Sequence, residues 1–99
     1  GIPFLPGMVA LIKKAIPLYK MEELHYTGKR ATAEECEAHH IVTRAVNLDH
    51  LMDEALAFAK GLGKRREIIA VMKERMYKDV VHQLDLEDPP IIASGMFYV

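Results

Sequence analysis

The stretch from Thr27 to Val42 constrains this chain more than any other. Gly28 offers the left-handed exit that ends a helix, and Thr32 with Glu35 three residues on has the pattern of a capping box, in which side chain and backbone satisfy each other's free donors. One helix must stop and another start within a few residues. The second is short, because His40 and the β-branched pair Ile41 and Val42 close it after about two turns.

Upstream of this joint, Gly1 to Met8 reads as a loop, since Pro3 and Pro6 fix φ and disfavour helix at the residues before them while Gly7 permits a tight turn. From Met8 to Ile16 the pattern predicts a mostly buried helix with Lys13 and Lys14 on its wet side, stopped by Pro17. A second helix, Leu18 to Tyr26, places Leu18, Met21 and either Leu24 or His25 inward, with Lys20, Glu22 and Glu23 outward. Two short helices joined by a proline suit a scaffold wrapped around another layer.

Downstream, Val42 to Val46 is extended or irregular, and Asn47 caps a helix from Leu48 to Lys60 with Asp49 in its first turn and Gly61 past its end. Leu48, Leu51, Met52, Ala55, Leu56, Ala59 and Leu62 recur at spacings of three and four, one apolar face whose large side chains are each worth ~1.5 to 3 kcal/mol if buried. The pattern then predicts a long helix from Lys64 to Leu84, apolar on two sides and so in need of two neighbours, with Gly61 and Gly63 letting it fold back on its predecessor. Pro89-Pro90 ends it. The tail Ile91 to Val99 is apolar enough to dock on its own chain or on a partner.

The hydrophobic content of 51% with 27% charged residues is ordinary for a soluble globular protein and argues against disorder. A net charge of -1 gives no bulk attraction to nucleic acid or to an anionic membrane. No apolar run reaches the ~18 residues of a bilayer span, and no basic-then-apolar leader opens the chain. A single cysteine, Cys36, fits a reducing, cytoplasmic compartment. Since 99 residues bury only a modest core and the chain opens on Gly1 rather than Met, it is expected to be part of something longer.

Few residues carry chemistry on their own terms. His39 and His40 are adjacent and point about 100° apart, and no zinc spacing occurs, so the five histidines read as polar surface or boundary residues. Cys36 sits mid-helix and reads as a buried inert thiol, and Glu34, Glu35 and Glu37 are accounted for by capping and solvation. Lys64-Arg65-Arg66 opens a helix against its macrodipole, either as a solvated face or as a phosphate contact. Lys73 and Tyr77, one turn apart, present a cation and an aromatic plane suited to a nucleotide.

The order Thr27-Gly28, Lys29-Arg30, Thr32-Ala33-Glu34-Glu35, short helix, Ile41-Val42, Ala45-Val46 resembles the segment after the catalytic core in the crotonase, or enoyl-CoA hydratase/isomerase, superfamily. Cys36 stands where that pattern has Ala, and His40 where it often has Gly. Met8-Val9-Ala10-Leu11-Ile12 replaces the Gly-Gly-Thr-Gln-Arg-Leu run of many hydratases, and Leu5 stands where dienoyl-CoA isomerases carry Asp, which favours an isomerase-like or divergent member.

The resemblance implies a mainly α chain forming the C-terminal helical part of a crotonase-like α/β ββα spiral. Residues 1–46 would end the core and residues 47–99 would form a helical oligomerisation region. The substrate would be an acyl-CoA thioester, with coenzyme A as part of it and no separate cofactor. Its enolate would be held by two backbone N–H groups while a carboxylate moves the α or γ proton. Those groups lie upstream of Gly1 in the family, so no catalytic residue is expected here. Pro3, Phe4, Leu5, Gly7 and Met8 would wall the acyl pocket, and Lys73 and Tyr77 would contact coenzyme A in a homotrimer or hexamer. The second reading is a non-catalytic helical oligomerisation domain that uses the last helix and tail. Neither reading involves metal, nucleic acid or membrane.

Overall fold

A computed structural model describes residues 2–95, and among them every regular element is helical. Helix α1 spans Pro6–Lys13, with Pro6 in its first turn, where the missing amide hydrogen has no intrahelical partner to lose. The start is therefore two residues earlier than expected. Gly7 makes no tight turn but is helical and buried. Helix α1 also ends early, giving way to a turn at Lys14 to Ile16 before Pro17.

Helix α2, Leu18–Thr27, ends as anticipated on Gly28 with φ 67°, a left-handed value that costs glycine nothing. Its inward face is the expected one in part, with Met21 buried and Leu24 half-buried. Leu18 is exposed, whereas Lys20 is buried beside Met21 and reaches Glu23 Oε2 at 2.6 Å. Thr32 caps α3, Ala33–Ala38, by accepting the Glu35 amide at 3.1 Å. The helix closes where His40 takes φ 60°.

Helix α4, Leu48–Gly61, follows Asn47, whose backbone is extended but whose side chain makes no capping bond. Gly61 is its last residue rather than the first beyond it, and the left-handed turn falls on Gly63 at φ 62°. Helix α5, Arg66–Met76, does not pack back along α4. The expected long helix is interrupted at Tyr77 and resumes as α6, Lys78–His82. From Gln83 to Glu87 the chain widens into a π turn, in which the Asp88 amide donates to the Gln83 carbonyl five residues back.

Pro89 and Pro90 do not end this arm. They sit in the first turn of α7, Asp88–Ser94, because the π turn has already reset the hydrogen-bond pattern and neither amide is missed there. Gly95, at φ 68°, ends α7, and the tail residues 96–99 lie outside the described residues. Within the described part of that tail Ile92 is exposed.

Packing is uneven. Helix α1 lies against α6 and the π turn, with α2 beside it, so the first helices and the last ones make one unit across the length of the chain. Helix α4 stands outside it, and its apolar stripe faces open space, with Leu48 84% exposed and Met52 uncovered. Among the described residues α5 likewise finds no second neighbour, and Ile68, Val71, Met72 and Met76 are all exposed. The radius of gyration, 16.8 Å, exceeds the ~13 Å of a compact domain of this length, in keeping with that open arrangement.

Candidate functional site

The best-defined locus is the junction of α1 with the C-terminal arm. The first amides of a helix have no intrahelical acceptor, and here Gly7 N–H donates to Asp88 Oδ1 at 2.8 Å, a buried bond between residues 81 positions apart. The carboxylate, 6% exposed, lies at the positive end of the α1 dipole. A Cβ at position 7 would come within 2.4 Å of Asp88 Oδ2 and 2.5 Å of Leu84 Cδ2, so a larger residue there forces those side chains to shift. At the other end of α1, Lys14 Nζ stands 4.5 Å from the centre of the Tyr77 ring. The two contacts run α1 antiparallel to the arm and fix it at both ends.

Two apolar hollows open beside this junction. One, about 390 Å³, is lined by Ile2, Pro3, Phe4, Leu5, Met8, Leu11, Leu84 and Asp88. The other, about 460 Å³, lies between the same Ile2–Phe4 segment and helices α1 and α2, with Ile12, Ile16, Met21, Leu24 and His25 in its wall. The structure thus brings Pro3, Phe4, Leu5 and Met8 together around one cavity. Gly7 does not line it but lies beneath it, fixing the position of the wall.

His25 is held in place from both sides. Its Nδ1 donates to the Met21 carbonyl at 2.9 Å, and Phe4 packs edge-on against its ring at 4.8 Å between centroids. Lys73 is exposed and Tyr77 half-buried one turn on, its amide donating to the Lys73 carbonyl at 2.9 Å, and Lys14 stands over the Tyr77 ring.

Around α3 and α4 the polar contacts are local. Glu37 accepts the Ala45 amide, and Arg44 donates to Glu54 Oε2 at 2.7 Å above a smaller hollow of about 210 Å³ bordered by Val46, Leu51 and Phe58. Tyr19 Oη and His39 Nδ1 share a hydrogen bond at 3.1 Å. Cys36 is half-buried rather than fully enclosed, and Lys64, Arg65 and Arg66 are all exposed. The Lys20 hydrogen bond holds the Glu23 carboxyl below its ordinary value, and the same bond raises Lys20. Among the described residues no three His, Cys, Asp or Glu side chains are placed to hold a metal ion, and no helix is long and apolar enough to cross a membrane.

Sequence reasoning missed Leu84, Asp88, Lys14 and Leu11 as parts of this site. One signal was present: Pro6 followed by Gly7 at a helix start marks a place where another backbone or side chain approaches closely. Comparisons with known protein families, with curated proteins and with solved structures found no match to the chain.

Proposed function

We propose that the chain is the C-terminal helical part of an acyl-CoA-binding enzyme of the enoyl-CoA isomerase or hydratase kind, with a crotonase-like ββα spiral as its full fold. The observation that carries this reading is the apolar hollow at the start of α1, whose open wall of Pro3, Phe4, Leu5 and Met8 suits an acyl chain. The exposed stripes of α4 and α5 fit the same reading, as faces shaped to cover a layer supplied from elsewhere.

Within such an enzyme these residues bind and orient. Asp88, the one carboxylate in the cavity wall, is engaged by the Gly7 amide and holds the wall in place, so proton transfer and enolate stabilisation fall to groups outside this chain. Lys73, exposed on α5, would offer its cation to the phosphates of coenzyme A, with Lys14 over the Tyr77 ring close by at the α5–α6 break.

The test is turnover of 2-enoyl and 3-enoyl-CoA thioesters by the complete gene product, followed by absorbance of the conjugated thioester. Double-bond migration or hydration is the expected result. A complete product that neither turns over nor binds coenzyme A esters overturns the proposal. If it instead forms a defined oligomer through α4 and α5, the non-catalytic oligomerisation reading takes its place, favoured by the same exposed stripes.

A further inference from the structure

We infer that helix α4 pairs antiparallel with α4 of a second copy of this chain, the Phe58 ring of each copy entering the hollow of about 210 Å³ beside Ala55 of the other. The inference uses neither the acyl-CoA reading nor the hollows beside α1.

The spacing on α4 is that of a seam between helices. Leu48, Leu51, Ala55, Phe58 and Leu62 follow one another at intervals of three, four, three and four, the repeat by which two helices interlock. The four large members are all exposed, and no residue of α4 is buried by its own chain. The hollow has the form such a seam requires. Its helical wall is Leu51, Glu54, Ala55 and Phe58, the diamond of four residues that receives one side chain of a facing helix, and Thr43, Arg44 and Val46 border it from the segment before α4. Ala55 is the smallest of the four and leaves room for a ring.

Register and charge select the occupant. An antiparallel pair centred between Leu56 and Ala57 sets Leu51 against Leu62 and Ala55 against Phe58 of the second copy, and a two-fold axis repeats both pairings in reverse. Each large ring thus meets the small residue. The same centring brings Asp49 level with Lys64 and Asp53 level with Lys60, so the acidic start of one helix lies beside the basic end of the other, with the helix dipoles opposed. A parallel pair would stack like charge on like. With one helix of 14 residues on each side, about 21 Å long, the pairing falls among weak, transient interfaces.

The experiment is sedimentation equilibrium of the full chain at concentrations up to the millimolar range, where a reversible monomer–dimer equilibrium is expected. Phe58→Ala is expected to weaken dimerisation by about thirtyfold or more, because each dimer loses two buried anchors. Ala55→Leu adds apolar surface yet fills the hollow, and is expected to weaken it by about tenfold or more. Met76→Ala, exposed on α5 and away from the seam, is expected to leave it unchanged. In a Cys36→Ser background, Leu51→Cys chains mixed with Leu62→Cys chains should form disulfides with each other and not with themselves.

Should Phe58→Ala lose its helical circular dichroism, Ala55→Leu decides, since it keeps a strong helix former at an exposed position. Wild-type dimerisation in the folded Phe58 and Ala55 variants, or disulfides formed between two Leu51→Cys chains, overturn the inference. A chain that stays monomeric throughout also overturns it and leaves the stripe of α4 to a different layer. Turnover of enoyl-CoA by a monomer would sink this pairing alone, and a dimer without turnover or coenzyme A binding would sink the acyl-CoA reading alone.

Discussion

Two parts of this molecule have the same kind of sequence and opposite fates. The α1, α2 and C-terminal-arm unit and helix α4 are both built of short amphipathic helices with apolar residues at spacings of three and four. In the first, Gly7, Lys20, Met21 and Asp88 are buried and α1 is fixed at both ends. In the second, no residue is buried, and Leu48, Leu51, Met52, Leu56 and Phe58 are exposed. The difference teaches that periodicity specifies a helix and a face but not a neighbour. What makes the junction is a pair of residues that only a close approach can use, a glycine with no side chain and a carboxylate at a helix start.

The sharpest way to break this contrast is at Gly7. Gly7→Ala puts a methyl group onto Asp88 and Leu84 and should destabilise the junction by about 3 kcal/mol, combining overpacking with loss of a buried hydrogen bond. Urea unfolding followed by circular dichroism checks it, and the same substitution at Gly61, where a Cβ meets nothing, should be neutral or slightly stabilising. Next in size is a matched truncation in the two regions. Met21→Ala, at a residue 7% exposed, should cost about 2 kcal/mol, while Leu51→Ala, at a residue 51% exposed, should change stability by less than about 0.5 kcal/mol while weakening any self-association. Equal costs at the two sites would mean that α4 is covered.

Thr32→Ala should lower stability by about 1 kcal/mol, since it leaves the Glu35 amide uncapped, and the loss should be confined to exchange protection of α3. The smallest expected effect is electrostatic. The Lys20 hydrogen bond depresses Glu23, so its contribution is present above the ordinary carboxyl value of 4.5 and is lost as pH falls through the lower folded value. Lys20 is raised by the same bond, so that contribution is present below 10.5 and is lost as pH rises beyond the folded value. NMR titration should show Glu23 ionising below its ordinary range in the wild type and returning to it in Lys20→Met.

What could be read from the sequence follows the same division. The α2–α3 joint was legible because its causes are local: Gly28 must turn left-handed and Thr32 must cap, and both do. The apolar stripe of α4 could be read from its spacing too, though not that it would stand uncovered. The Gly7–Asp88 bond could not, because nothing local relates residues 81 apart. Lys20 was misplaced for a related cause. A long side chain with its charge satisfied by Glu23 buries its stem where the apolar pattern alone expects leucine.

Amide hydrogen exchange resolved along the chain tests the central claim most directly, because it reads local opening residue by residue. The account predicts that the Gly7 amide and those of α1, α6 and the π turn exchange slowest, while α4 exchanges fast along its length despite being helical. Protection in α4 equal to that of α1, or a freely exchanging Gly7 amide, would contradict it.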